Sequence, residues 1–117
     1  MRVLVVEDEP AIRHLIDRLL TRRGHHVLTA PNALLAAAIL IDYGVTLDIA
    51  LIDLSLPGGT SGIAFADRLG VQFPALRVIF MTGHLEPEKL AEAARRGPLL
   101  LKPFTSDQLL TIMAAAS

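Results

Sequence analysis

Acidic, hydroxyl and amino side chains follow four short apolar runs in this sequence. They are Glu7, Asp8 and Glu9 after the first run, Asp53 after the second, Thr82 after the third and Lys102 after the fourth. If the runs are parallel strands, their carboxyl ends meet at one rim of the sheet, which is where open α/β sheets bind ligands. The spacing therefore predicts one site that combines carboxylates with a hydroxyl and an amine.

The carboxylates of Glu7, Asp8 and Asp53 would repel one another at such a rim. Two unit charges about 4 Å apart interact by roughly 4 kcal/mol at an effective dielectric near 20. A hard divalent cation would offset this repulsion, and oxygen ligands with retained waters suit Mg²⁺. We therefore expect a magnesium site, with Lys102 as a second positive charge on the same rim.

This set of side chains suits phosphoryl transfer, which needs an oxygen nucleophile and positive charge on the equatorial phosphoryl oxygens. A carboxylate can be the nucleophile, and the product is then an acyl phosphate. Asp53 would attack, Mg²⁺ and Lys102 would hold two phosphoryl oxygens, and the Thr82 hydroxyl would hydrogen-bond a third. No other residue of the rim is an obvious general acid or base, so transfer without a proton relay fits best.

The apolar runs that must position these residues are continuous rather than alternating, which is typical of parallel strands buried on both faces. The predicted strands are Val3–Val6, Ile49–Ile52, Val78–Met81 and Leu99–Leu101, with a half-polar edge strand at His25–Ala30. Because a helical pattern separates each pair of runs, we expect an α/β fold with a parallel sheet, right-handed crossovers and helices on both faces.

The predicted helices have recognisable ends. They begin at Pro10 and end at Gly24, then cover Ala33–Tyr43, Gly62–Phe73 and Glu86–Arg96, and the last begins after Thr105. Asn32 is a suitable N-cap for the second helix, and Gly44 would close it. Thr105 and Gln108 have the spacing of a capping box at the start of the fifth helix.

Length and composition exclude several classes of protein. With 117 residues, of which 52% are hydrophobic and 20% charged, the chain is expected to be one domain over 1–117, with no output domain. A net charge of −1 argues against direct nucleic-acid binding, and the absence of cysteine excludes thiolate metal sites. The apolar run 33–41 is far shorter than the roughly 20 residues of a membrane helix. Glu7 interrupts the first run too early for a signal peptide, so a cytoplasmic location without membrane contact is expected.

Four segments at the ends of the predicted strands resemble the signature of the receiver domain of two-component response regulators. They are VVEDEP at 5–10, DLSLPGGTSG at 53–62, MTGH at 81–84 and KPF at 102–104. Each segment is weak evidence by itself, but the four occur in the expected order along nearly the whole chain. The resemblance implies a doubly wound, flavodoxin-like sheet of strand order 2-1-3-4-5.

The resemblance also implies a role for each site residue. Asp53 would accept the phosphoryl group, Thr82 would be the switch hydroxyl, and Lys102 would bind the phosphoryl group. The implied magnesium ligands are Asp8, Asp53, the backbone carbonyl of Ser55 and, through a bound water, Glu7. A histidine kinase or histidine phosphotransfer protein would be the partner, and the protein would be a monomer or a weak phosphorylation-dependent dimer. The Lys102-Pro103 bond resembles one that is usually cis in the family.

The sequence departs from the family pattern near both sides of the site. Gly62 follows Pro57 by five positions, one more than the commonest spacing, and the five positions from Gly97 to Lys102 are about two fewer than expected. Leu99 stands where an aromatic switch residue usually lies, three positions before the lysine. We therefore expect weaker coupling between Asp53 and the face formed by the fourth helix, fifth strand and fifth helix.

Other functions were weighed against this one. A small magnesium-dependent aspartyl phosphatase would need a second aspartate two residues after the nucleophile, where this chain has Ser55. A nucleotide-binding module would need a glycine-rich turn after the first strand, where this chain is acidic. A receiver-like docking module that is no longer switched by phosphorylation stays open because of Leu99.

Overall fold

The computed structural model describes residues 1–41, 46–56, 61–83 and 86–116, and strands and helices alternate along them. The strands are β1 Arg2–Val6, β2 His26–Ala30, β3 Ile49–Asp53, β4 Arg77–Thr82 and β5 Leu99–Leu101. The helices are α1 Pro10–Arg22, α2 Ala33–Ile41, α3 Gly62–Gln72, α4 Pro87–Ala94 and α5 Ser106–Ala116.

The strands form one parallel sheet in the order β2-β1-β3-β4-β5. This order confirms the predicted fold class. β3 is buried along its whole length, whereas β2 lies at an edge and is buried only at Ala30, as its half-polar sequence indicated. The strands β1 and β3 are neighbours in the sheet although β2 lies between them in the sequence, so their carboxyl ends lie side by side at the switch point of the strand order.

Alternate residues of each strand face different helical layers. Leu4 and Val6 of β1 belong to the core cluster beneath α2, α3 and α4. Val3 and Val5 belong to the second cluster, which is covered by α1 and α5. Both faces of the sheet are therefore buried, which explains why the strand sequences are continuously apolar. Across the described ranges, no helix has both the length and the apolar character needed to cross a membrane.

The local signals at helix ends were mostly predictive. Asn32 caps α2, since its Oδ1 accepts a hydrogen bond from the N–H of Leu35 at 2.8 Å. Thr105 and Gln108 form the expected capping box, with reciprocal bonds of 2.9 and 3.1 Å. Gly24 follows the end of α1 with a φ of 87°.

Some predicted boundaries were wrong by one or two residues. Helix α4 begins at Pro87 and ends at Ala94, so Glu86 is its N-cap and Arg96 lies outside it. Proline at the first helical position needs no hydrogen-bond partner for its nitrogen, which favours a start there. Helix α3 ends at Gln72 because Phe73 leaves the helical conformation, with φ −126° and ψ 83°. Strand β2 begins at His26 rather than His25. Tyr43 and Gly44, the predicted end of α2, and the segment from Pro57 to Thr60 lie outside the described residues, as does His84.

Candidate active site

The polar residues predicted from the strand ends meet at the carboxyl rim of the sheet. Asp53 is the last residue of β3 and Thr82 the last of β4, and both are buried. Lys102 directly follows β5, and its N–H donates to the carbonyl of Thr82 at 2.8 Å. Glu7 directly follows β1, and its N–H donates to the carbonyl of Ala30 at 3.1 Å, which extends the β1–β2 pairing by one residue.

Lys102 joins the two buried carboxylates. Its Nζ lies 2.9 Å from Oδ2 of Asp53 and also forms an ion pair with Oε1 of Glu7. The other oxygen of Asp53, Oδ1, accepts a hydrogen bond from the N–H of Ser55 at 2.9 Å. Both oxygens of Asp53 are therefore oriented by donors, one of them charged.

The environment raises the pKa of Glu7 and lowers the pKa of Asp53. Burial raises the pKa of Glu7 to about 7, and the hydrogen bond with Asp53 and the charge of Asp53 add to this effect. Burial also acts to raise the pKa of Asp53, but hydrogen bonds with Glu7, with Lys102 and with the N–H of Ser55 outweigh it and lower this pKa. The pKa of Lys102 is raised despite burial, because Glu7 and Asp53 stabilise the ammonium. Asp53 is thus the carboxylate that stays ionised, as a nucleophile must.

Glu7, Asp8 and Asp53 fit a divalent cation. One carboxylate oxygen from each residue lies within 4.8 Å of the other two. Asp8 is exposed to solvent, whereas the other two are buried, so an ion would be held at the mouth of the site. The donors are all carboxylate oxygens, which hard cations such as Mg²⁺ prefer.

Arg13 is a neighbour of the acidic turn that sequence reasoning missed. Its guanidinium Nη1 donates to the backbone carbonyl of Glu7 at 2.8 Å, and that of Asp8 lies at 3.5 Å. A cation near the N-terminus of a helix is electrostatically unfavourable. The position of Arg13 near the start of α1 could therefore have indicated that it has a specific partner. By binding these carbonyls, Arg13 fixes the turn that carries the carboxylates.

Position 62 requires glycine because its backbone packs directly against the backbone of Asp53. A Cβ added to Gly62 would lie 2.4 Å from the backbone oxygen of Asp53, which is closer than van der Waals contact allows. Ser61 caps α3 beside it by accepting a hydrogen bond from the N–H of Ala64 at 3.0 Å. The start of α3 therefore supports the backbone of Asp53 directly.

The region around β5 contains the departures noted in the sequence. The Lys102-Pro103 bond is cis, as predicted. Leu99 is half-buried and packs against the cluster beneath α2, α3 and α4. Just before β5, Arg96 is fixed to α3 by a bidentate ion pair with Asp67, with N–O distances of 2.7 and 3.0 Å. These contacts tie the end of α4 to its neighbour.

Comparisons with known proteins agree with the fold. The sequence profile described as "Response regulator receiver domain" matches residues 3–114. The chain is 31% identical over 110 residues to the sporulation initiation phosphotransferase F of Bacillus subtilis, and the match covers 92% of this chain and 86% of that protein. It is 34% identical to the alginate biosynthesis transcriptional regulatory protein AlgB of Pseudomonas aeruginosa, with 92% of this chain matched, but spans 24% of that protein.

Solved structures give the same result. The chemotaxis protein CheY4 of Vibrio cholerae is similar with a TM-score of 0.87 and 26% identity, and the match covers 99% of this chain and 98% of that chain. NtrX from Brucella abortus has a TM-score of 0.86 and 34% identity, with 98% of this chain covered and 26% of that one.

Proposed function

The chain belongs to the family of response regulator receiver domains, the signalling domains of two-component systems, and we propose that Asp53 is the residue on which it accepts a phosphoryl group. The observation that carries this proposal is the position of Asp53. It is buried at the carboxyl end of the central β3, with its oxygens bound by Lys102 and by the N–H of Ser55.

Asp53 acts as the nucleophile in this proposal. Its lowered pKa leaves it ionised at neutral pH, so a carboxylate oxygen can attack phosphorus without first losing a proton. A new P–O bond forms to Asp53, and the bond from phosphorus to the donor breaks, with its electron pair leaving on the donor group. Lys102 and the hydroxyl of Thr82 then each donate a hydrogen bond to a phosphoryl oxygen, which stabilises the charge on the transferred group.

We propose Mg²⁺ as the cation of the acidic cluster. Asp8, Asp53 and the backbone carbonyl of Ser55 would bind the ion directly, and Glu7 would bind it through a water molecule. When bound, the ion neutralises the carboxylates and draws negative charge from the phosphoryl oxygens. The raised pKa of Glu7 supports the assignment, because burial and the neighbouring Asp53 disfavour the charged form of Glu7, which a bound cation would stabilise.

The remaining parts of the proposal concern the setting of the reaction. A histidine kinase or a histidine phosphotransfer protein would donate the phosphoryl group, and the chain would act as one switching or relaying domain rather than as an enzyme with turnover. Ser55 supports this, because an aspartyl phosphatase needs a carboxylate at that position. A cytoplasmic location and a monomeric or weakly dimeric state belong to the same proposal.

Intact-mass measurement after incubation with a small acyl phosphate tests the assignment. The wild-type protein should gain the mass of one phosphoryl group when Mg²⁺ is present and none when a chelator removes it. Asp53→Asn should gain none, because its amide is not a nucleophile. Asp107→Asn is the matched control, since Asp107 is an exposed acid in α5 and should leave labelling unchanged. Equal labelling of wild type and Asp53→Asn would contradict the assignment.

A further inference from the structure

A small pocket lies at the carboxyl ends of β3 and β4, on the side toward α4. Its volume is about 110 Å³, and its lining residues are Leu54, Ser55, Thr82, Glu86, Lys89 and Leu90. Since about 10–15 Å³ of such space is enough for one water molecule, the pocket can hold several waters. It therefore offers a path for water to the phosphoryl group that Asp53 is proposed to carry.

Lys102 and the pocket residue Ser55 bind different oxygens of Asp53. Lys102 binds Oδ2 of Asp53, whereas Ser55, which lines the pocket, donates its N–H to Oδ1. Thr82 lines the same pocket, so a phosphoryl group that reaches its hydroxyl would border on this space. Lys89 lines it from the first turns of α4 and is a cation separate from Lys102.

Lys89 is held only weakly in its present position. Its Nζ lies 3.5 Å from Oε2 of Glu86, and the two side chains are 66% and 64% exposed. Ion pairs this exposed contribute little, so the ammonium can exchange partners easily. A phosphoryl group on Asp53 would add a charge of about −1.5 to −2 beside the pocket. Lys102 and Mg²⁺ would share this charge, and an outer phosphoryl oxygen would be left to attract the ammonium of Lys89.

We propose that Lys89 controls the lifetime of the phosphoryl group by leaving Glu86 and covering this pocket when Asp53 is phosphorylated. The proposal rests on the phosphoacceptor function of Asp53. The ammonium binds an outer phosphoryl oxygen, and the end of the side chain takes the space of the water that would attack. Because the attacking water would reach the phosphoryl group through this pocket, a side chain that covers the pocket excludes that water, and Lys89 slows hydrolysis.

The reaction that Lys89 opposes is hydrolysis of the acyl phosphate. The water oxygen forms a bond to phosphorus, and the bond between phosphorus and the Asp53 oxygen breaks. The electron pair of that bond stays on the carboxylate, and both water protons leave with dihydrogen phosphate. Lys89 gains and loses no proton in this step.

The lifetime of the phosphorylated protein tests this role. The protein is labelled with a small acyl phosphate and Mg²⁺, the donor is removed, and intact mass follows the loss of the phosphoryl group. Lys89→Met removes the charge but keeps most of the length of the side chain, and it should shorten the half-life by about threefold or more. Lys89→Arg should restore it, and Glu86→Gln should lengthen it because the competing carboxylate is gone. Raising the salt concentration should reduce the difference between wild type and Lys89→Met.

Arg95→Met is the matched control, since it removes one positive charge from the far end of α4 and should leave the half-life unchanged. Equal half-lives for wild type and Lys89→Met, with normal labelling of both, would overturn the role of Lys89 alone. An equal shortening in Arg95→Met would also overturn it, because the effect would then be one of net charge. Failure of the wild-type protein to label at all would overturn the phosphoacceptor function and this inference with it.

Discussion

Replacing Glu7 by glutamine should stabilise the folded protein at alkaline pH. Glutamine has nearly the same shape and keeps an oxygen that can accept from Lys102, but it carries no charge. The side chain of Glu7 is fully buried, so its ionisation is not relieved by water. The variant therefore isolates the free energy of ionising this one carboxyl group inside the protein.

The size of the effect follows from the pKa. Folding raises the pKa of Glu7 from 4.5 to about 7, and each unit corresponds to about 1.4 kcal/mol. The folded protein binds more protons than the unfolded chain between these pKa values, so the Glu7 contribution to stability falls as the pH rises through this range. Above it, the ionised group lowers the free energy of unfolding by on the order of 3 kcal/mol.

Urea unfolding followed by circular dichroism, with a chelator present, measures this difference. At about pH 8.5 the Glu7→Gln variant should be more stable than wild type by on the order of 3 kcal/mol, and at about pH 5 by less than about 1 kcal/mol. Glu9→Gln is the matched control, because Glu9 is an exposed carboxylate two residues away. It should be neutral or slightly destabilising, since it removes a negative charge from the start of α1.

Adding Mg²⁺ should reduce the difference in stability between Glu7→Gln and wild type at alkaline pH, because an ion bound to the folded state stabilises the wild-type protein. Two results would refute the reasoning. A Glu7→Gln protein less stable than wild type at about pH 8.5 would mean that the ion pair with Lys102 outweighs the cost of burial. An equal change in stability with pH in both proteins would mean that Glu7 titrates normally.

The other predictions concern the support of the site and its coupling to β5. Gly62→Ala should lower the free energy of unfolding by about 1–3 kcal/mol in thermal or urea unfolding, because the new Cβ meets the backbone of Asp53. Gly70→Ala, in the same helix but facing open space, should raise it by about 0.5–1 kcal/mol, and a loss of stability equal to that of Gly62→Ala would contradict this explanation. In NMR shift mapping with an acyl-phosphate mimic on Asp53, changes should be largest at residues 54–62 and at the start of α1, because Leu99 has no ring to change partners. Changes as large across 86–101, present also in Lys89→Met, would show that Leu99 transmits the signal.

Features that depend on a few neighbouring residues could be predicted from the sequence. The caps at Asn32 and Thr105 are local contacts, made within three residues of the chain. The meeting of Asp53 with Lys102 also followed from the sequence, because the topology of parallel sheets brings their strand ends to one rim.

The burial of individual residues and the contacts of long side chains could not be predicted from the sequence. Glu7 and Asp8 look alike in the sequence, yet Glu7 continues the pairing of β1 with β2 and is buried, whereas Asp8 is exposed. Arg13 and Lys89 are flexible side chains whose contacts depend on how α1 and α4 pack beside the rim. Helical spacing places such residues on a helix but does not determine which backbone or pocket they reach.

The short edge strand β5 has a consequence for the solubility of the protein. An edge strand offers unpaired backbone groups to other chains, and a leucine triplet at an edge would favour aggregation. Here Leu101 is 51% exposed, but β5 contains only three residues and is bracketed by Pro98 on one side and by Lys102 and Pro103 on the other. Prolines lack the N–H that a growing sheet needs, and the lysine charge disfavours a second copy alongside. The arrangement that carries Lys102 to Asp53 thus also limits how far another strand can pair along this edge.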